Sequence, residues 1–419
     1  GNYFQTLPIG PDEIQKDCRA KSVLFHPVKE SIVQTLVQNN TTTPSNVNFP
    51  VLVPTRRIIT RGATKGKLTT LHLEEVRDIL RAQAERQQPM DHDRSFSHLS
   101  LDFTGNRVHA AFLDAKAGLG EKMLVHEHAY RQMSANVLPA RGGGFLLEQA
   151  RLGQNGEKLS TMSWSMFARG DDKPRTFRTA LTRDADGSVR RMLRSQHSQG
   201  YAAYDNLRFV EDMLTFGGDL TTARVAAFNT TDTGMMLRFV RTDGEIELNK
   251  PVPMFEALNS EVGCRKTTLR GGMWKLICTN GMAHWDKSSE WSWRHYGDGD
   301  RISRGVASAF DELNVAASGV IEAYTRALDI AIDDAFAWLT SELDKAGASE
   351  AQVQRAQAAL NDPTTTSGGR LASVVDAITL SAQSENDLFE QTQMEDWASL
   401  LLRRGLNAAG SRDRILVEA

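Results

Sequence analysis

The chain is poor in cysteine: Cys18, Cys264 and Cys278 are the only three in 419 residues. A sparse, odd set gives no disulfide framework and points to a reducing compartment, hence the cytoplasm. Long apolar runs are missing as well. None approaches the ~18–20 residues a helix needs to cross a bilayer, so no membrane partner is expected. The opening residues, GNYFQTLPIG, lack a basic stretch followed by an apolar one, which argues against a secretory signal. No sign of charge dominates: 49 basic and 52 acidic residues leave a net charge of −3. Nucleic-acid contact would therefore need a local basic patch. Motifs of catalysis and phosphate binding are also lacking. No GxSxG, HExxH, EF-hand, GxxxxGK[ST] or GxGxxG pattern occurs, and no repeat of solenoid period is visible.

What is present is ordinary globular composition, 40% hydrophobic and 24% charged, long enough for two or three domains. NNTTTPSNVNFP at 39–50 reads as a linker, and VLVPTRRIITRG after it as a strand near a turn. LTTLHLEEVRDILRAQAERQQ reads as a helix capped by Thr70. Residues 98–114 alternate around Thr-Gly-Asn, a hairpin, and 122–138 look helical before ARGGG interrupts. From 151 to 255 strands dominate the reading. TMSWSMFARG alternates, and hairpins centre on Asp-Ala-Asp-Gly and on Asp232-Thr233-Gly234, with a further turn at Asp243-Gly244. Between them, Asp205 or Asn206 caps a helix that Gly217-Gly218 ends. After residue 300 the spacing is helical for some ten turns, with a break expected at Ser318-Gly319, and three more helical pieces follow. Strands in the middle and helices at the end predict an α+β fold with a mostly antiparallel core. The expected regions are 1–150, an α+β elaboration or separate domain, then 151–300, the β-rich core, and 301–419, the helical end.

Cys278 lies in WKLICTNG, where alternation puts it beside Trp274 and Leu276, so it reads as a buried apolar thiol. Cys278, His295 and Asp298 are the one set that could serve as nucleophile, base and orienter, but nothing local supports that geometry. No catalytic residue is assigned, and the chain reads as a non-enzyme. His126-Glu127-His128 and Asp91-His92-Asp93 are the metal-like triplets. On a helix i and i+2 point apart, so His126 and His128 could not share one ion, whereas on a strand they could; the second triplet reads as a loop, and no metal or other cofactor is assigned. Arg141-Gly142-Gly143-Gly144 reads as a flexible loop.

The basic residues carry more. Arg190, Arg191 and Arg194 fall on one predicted hairpin with Arg175, Arg178 and Arg183. Arg265, Lys266, Arg270 and Lys275 follow, with Trp274, Trp291 and Trp293 nearby. Arginine pairs with phosphate and aromatic rings stack on bases, which is what a single-strand groove requires. The competing reading is that basic residues protect strand edges from aggregation.

Two stretches resemble the DUF932 family of phage- and plasmid-like proteins, which includes the UPF0380 group. SQGYAAYDNLRFVEDML (198–214) is similar to its S-x-x-Y…N segment, through Tyr201 and Asn206. NSEVGCRKTTLRGGMWKLICTNGM (259–282) is similar to its NS-x-x-G…R-x-x-C-x-N-G block, through Asn259, Ser260, Gly263, Cys278, Asn280 and Gly281. His295 matches the histidine that usually follows. Lys275 stands where the family carries arginine. The resemblance covers roughly residues 190–345. It implies a gene of mobile elements and no established reaction. Asn280-Gly281 is a hairpin signal in its own right, so the block reads as a fold-determining strand–turn–strand on which a binding surface is built. The resulting expectation is a mobile-element protein that binds nucleic acid, single-stranded DNA first, in recombination or replication. The alternatives are a protein-binding module that counters a host defence enzyme, with the C-terminal helices supplying oligomer contacts, and an unknown enzyme.

Overall fold

The computed structural model describes residues 58–59, 71–104, 107–114, 118–183, 187–218, 220, 222–231, 233–241, 250–277, 280–362, 369–384, 388–410 and 414–415. The linker at 39–50, most of the early strand, the Asp243-Gly244 turn and Cys278 lie outside them. The fold is α+β, with antiparallel sheets first and helices at the C-terminal end.

The first sheet begins after helix α1 (Leu73–Gln87), which opens at His72 rather than Thr70. Its strands are β2 (Met90–Arg94), β3 (Leu99–Thr104), β4 (Arg107–Asp114), β5 (Gly118–Leu119), β6 (Met123–Val125), β7 (Arg175–Arg183) and β8 (Val189–Ser198). Strand β1 (Ile58–Ile59) belongs to the second sheet. The order is β2-β7-β8-β6-β4-β3, with β5 on β4, so the sheet draws on both sides of residue 150. Asp91-His92-Asp93, expected as a loop, is strand β2, paired to β7 with His92 opposite Phe177. The hairpins predicted at 98–114 and around Asp-Ala-Asp-Gly both form, and among the described residues of this sheet only β6 and β8 run parallel.

Three helices cover one face: α2 (Glu127–Val137), α3 (Gly142–Ala150) and α4 (Gln154–Ala168). Two expectations fail here. The triple glycine opens α3 instead of forming a loop, fixed by the Tyr130 hydroxyl donating to the Gly143 carbonyl at 2.8 Å. TMSWSMFA of the stretch TMSWSMFARG forms the end of α4, and Arg169-Gly170 follow the helix. Its alternation is real, but Gly156, Ser160, Trp164 and Ala168 recur every four residues, and that stripe is what the core receives.

The second sheet is an antiparallel meander. Helix α5 (Asn206–Phe216) leads into β9 (Arg224–Thr230), β10 (Met235–Val240), β11 (Pro251–Asn259), β12 (Thr267–Ile277) and β13 (Asn280–Trp293), with β1 at the far edge. Strands β12 and β13 pair antiparallel as a hairpin. Asn280 and Gly281 pair with Ile277 and Leu276 as the first residues of the outgoing strand, not as the turn itself. Helices α1, α5 and the first half of α6 (Gly299–Ala327) pack on this sheet through Val76, Phe209, Phe239 and Leu313. Helix α6 runs unbroken through Ser318-Gly319. A helix-interior glycine costs only about 1 kcal/mol, and Leu313, Ala317, Val320 and Tyr324 are buried around it. The chain leaves the helix at 328–334 instead. Then come β14 (Ala331–Ile332), α7 (Ala335–Ala346), α8 (Glu350–Leu360), α9 (Leu371–Ala382), α10 (Leu388–Ala409) and β15 (Arg414–Ile415), the last pairing with β14. The second half of α6 and α7–α10 share a separate apolar core.

Candidate functional site at the junction of the sheets

The connection between β11 and β12, residues 260–266, is driven into the first sheet. Its turn needs Gly263. That residue has φ +76°, a conformation side chains resist, and a Cβ there would stand 3.0 Å from the His197 ring. On one side of the turn the Val262 carbonyl accepts from His128 Nε2 at 3.1 Å and from Gln132 Nε2 at 3.3 Å. On the other, the Glu261 carbonyl accepts from the Arg178 guanidinium and the Tyr201 hydroxyl, both at 3.1 Å. Ser260 ties the turn back to its own sheet, donating to the Thr233 carbonyl at 2.6 Å and accepting from the Cys264 N–H.

The Glu261 carboxylate does two jobs. One oxygen meets Arg194 at 3.0 Å, and the other accepts from the Asn206 N–H at 3.1 Å. Asp205 is the N-cap residue of α5, but its own side chain makes no cap bond. It pairs instead with Arg178 at 2.5 Å, while Asp91 approaches the same guanidinium at 3.5 Å. A carboxylate from a distant loop thus caps the helix, and the residue expected to cap it neutralises a buried arginine.

Next to this ionic cluster lies a ring stack. His197 and Tyr201 are stacked at 3.6 Å, and Tyr201 and His295 at 5.3 Å, each pair within 7° of parallel. Ser195 Oγ is 2.7 Å from His197 Nε2. His295 Nδ1 is 3.2 Å from the Ala202 carbonyl, which requires the proton on that nitrogen, and Nε2 faces the Thr267 hydroxyl at 3.1 Å. Asn259, fully buried, donates to the Tyr204 carbonyl at 2.9 Å and to Asn206 Oδ1 at 3.0 Å, and its own Oδ1 lies 2.8 Å from Thr267 Oγ1.

Charge states follow from burial. Burial pushes His128 and His295 down to about 4, and His197 well below its ordinary value, so all three rings are neutral near pH 7. Arg178 adds to the push on His197 and His295. Burial raises Glu261, but Arg194 and Arg178 outweigh it and hold this carboxyl below the usual range. Burial raises Asp205, Arg178 opposes it, and Glu261 and Asp91 add to it, so this carboxyl stays raised. Cys264 Sγ is 3.3 and 3.4 Å from the two ring nitrogens of His128. That ring is neutral, so no imidazolium stands by to stabilise a thiolate.

The structure therefore gathers six of the motif residues, Tyr201, Asn206, Asn259, Ser260, Gly263 and His295, from three segments into one node. Asn280 and Gly281 are on the β12–β13 hairpin, and Cys278 is outside the described residues. His295 is engaged with Ala202 and Thr267, and Asp298 caps α6 by accepting from the Asp300 N–H. No group of three or more metal-type side chains gathers among the described residues.

The basic set does not form one surface. Arg194 is bound to Glu261. Arg270 sits 3% exposed between Glu256 and Asp396, with its guanidinium 4.6 Å from the Trp285 ring. Lys275 is equally buried, 3.0 Å from Asp376 and 2.7 Å from the Tyr324 hydroxyl. Such charges enter an interior only when paired, and each has its carboxylate there. Trp291 and Trp293 are half-buried against the second sheet's core, and Gly305 of α6 approaches the Trp293 ring. Arg190 is exposed, Arg191 is half-buried over the Gln88 carbonyl, and Arg265 and Lys266 are half-buried.

Sequence reasoning missed Glu261, Asp205, His197 and His128 as members of the node. Glu261 was legible only as the unread position inside NSEVG, Asp205 was read only as a helix cap and His128 only in a metal-like triplet, and His197 has no local signal. No family model, curated protein or solved structure matches the chain.

Proposed function

We propose that the protein acts by binding another protein through the outward face of α3 and α4. The observation that carries this reading is an apolar surface. On α4 Leu159, Met162 and Met166 recur at helical spacing opposite the Trp164 stripe, and Phe145 on α3, Leu152 after it and Phe167 on α4 are exposed as well. Leu152, Met162 and Met166 are 73%, 70% and 68% exposed. Scattered surface apolar residues are ordinary, but a contiguous stripe on a helix whose other side already fills the core is a docking face. Methionine suits such a face because its unbranched side chain adapts to a partner.

The test places a photo-crosslinking amino acid at Met162 in producing cells, with Val315 on α6, 73% exposed, as control position. A discrete adduct is expected at 162 and none at 315, and Leu159→Glu with Met166→Glu should abolish it. No adduct at 162, or one that survives those substitutions, sinks the reading.

A second reading, nucleic-acid binding by a mobile-element protein, retains one specific support. Burial lowers the pKa of His109, Asp102 opposes this, and Lys122, which is paired with Asp102 at 2.7 Å, Arg107 and Arg190 lower it further, while Arg107 and His109 alternate on one strand. It predicts binding of labelled single-stranded DNA that weakens with salt, with a log–log slope of about −0.7 per phosphate contact. Arg190→Ala with Lys122→Ala should weaken it. Flat anisotropy at low salt would remove this reading.

A further inference from the structure

The outward stripe of α4 carries charge as well as apolar surface. A helix turns about 100° per residue, so Lys158 and Arg169 fall within about 40° of Met162. Arg169 follows the last residue of α4 but keeps helical angles, φ −57° and ψ −26°. Both cations are exposed. Neither side chain has a hydrogen bond or ion pair among the described residues. The helix has one acid, Glu157, which is half-buried and stands about 140° round from Met162. Elsewhere the chain matches its cations: Arg178, Arg194, Arg270 and Lys275 are each held by a carboxylate.

The arrangement is an apolar centre, Met162 and Met166, with an unmatched cation toward each end. Lys158 and Arg169 are eleven residues apart, about 16 Å along the axis. In such a face the apolar centre supplies affinity, and the outer charges choose the partner. A lipid surface calls for cations along the flanks of a broad apolar stripe. Here they interrupt the stripe itself, which suits a partner whose acids and apolar residues share one line.

We infer that the occupant of this face is an acidic amphipathic helix of another protein, with carboxylates about 16 Å apart on either side of apolar residues. The inference rests on the docking reading above and adds the partner's chemistry.

The experiment is fluorescence anisotropy of the full chain with two labelled synthetic helices. One presents a leucine stripe between two glutamates eleven residues apart, and its counterpart carries lysines in place of the glutamates. The glutamate peptide is expected to bind saturably, at least tenfold tighter than the lysine peptide, and to weaken as salt rises. Lys158→Glu with Arg169→Glu should reverse the preference. Both side chains are exposed and bonded to nothing described, so the variant should keep its circular dichroism. No saturable signal, equal binding of the two peptides, or an unreversed preference in the folded variant would each overturn the assignment. So would vesicles of phosphatidylserine and phosphatidylcholine that sediment the chain while the glutamate peptide fails to release it. The crosslink at Met162 separates the two failures. An adduct there without a peptide preference removes the acidic partner alone, whereas no adduct removes the docking reading and this inference with it.

Discussion

Glu261 is one side chain on which three elements depend. It pairs with Arg194, caps α5 through the Asn206 N–H, and turns the backbone carbonyl beside it toward Arg178. Replacing it by glutamine keeps the shape and removes the charge, leaving buried guanidinium groups under-compensated. Breaking a buried pair in this way costs about 3–5 kcal/mol, so Glu261→Gln should lower the urea midpoint by that equivalent with m unchanged. The neighbouring histidines set a pH dependence. Their pKa values fall on folding, so the unfolded chain binds more protons between the two values, and stability declines as pH drops. For His128 and His295 the window runs from the ordinary 6.5 down to about 4, each contributing on the order of 3 kcal/mol. His197 acts in the same direction. Glu261 and Glu256, both held below their ordinary 4.5, add their own loss as pH falls below that value. Urea midpoints should therefore fall steadily from pH 6.5 to 4. A flat profile there would show that the rings are not buried in neutral form.

Elements were legible where one periodicity acted alone. Alternation around a turn marked β3–β4, β7–β8 and β9–β10, and the C-terminal helices announced themselves by spacing. Reading failed where two periods coexisted, as in α4, or where tertiary contact overrode propensity, as in α3 and in α6 at Gly319. The junction was half legible. Asn259, Ser260, Gly263 and His295 stood out as motif residues, but their partners on β7, β8 and α2 are brought in only by folding. Two glycines test how α6 is held. Gly271 of β12 lies under α6, where a Cβ would meet the Leu313 carbonyl at 2.8 Å and Ala316 Cβ at 3.3 Å. Gly271→Ala should push the helix off the sheet and cost about 1–3 kcal/mol. Gly319, within α6, has nothing within 4 Å of its missing Cβ, so Gly319→Ala should stabilise by up to about 1 kcal/mol. Equilibrium urea unfolding distinguishes them by sign. The same sign for both would show that α6 does not press on β12 as described.

At the scale of the whole molecule, two sheets with separate apolar cores are joined through a polar turn. The first sheet's core gathers Phe96, Phe103, Trp164 and Phe177, and the second's gathers Val76, Phe209, Phe239 and Leu313. Between them lie the Glu261, Arg178 and Arg194 pairs, the ring stack and the Val262 carbonyl. Apolar burial gives each sheet its own cooperative unit, and the polar joint decides whether the two unfold together. In the native chain a single transition is expected, with every probe coincident. Arg178→Ala with Glu261→Ala removes both sides of the main contact and leaves both cores untouched. Far-UV circular dichroism should then separate from fluorescence, because six of the seven tryptophans follow residue 270 and Trp164 alone reports the first sheet. With Trp164 replaced by phenylalanine as well, the remaining fluorescence should track only the later transition or only the earlier one. Coincident curves in the joint variant would show that the sheets are coupled by something other than this turn.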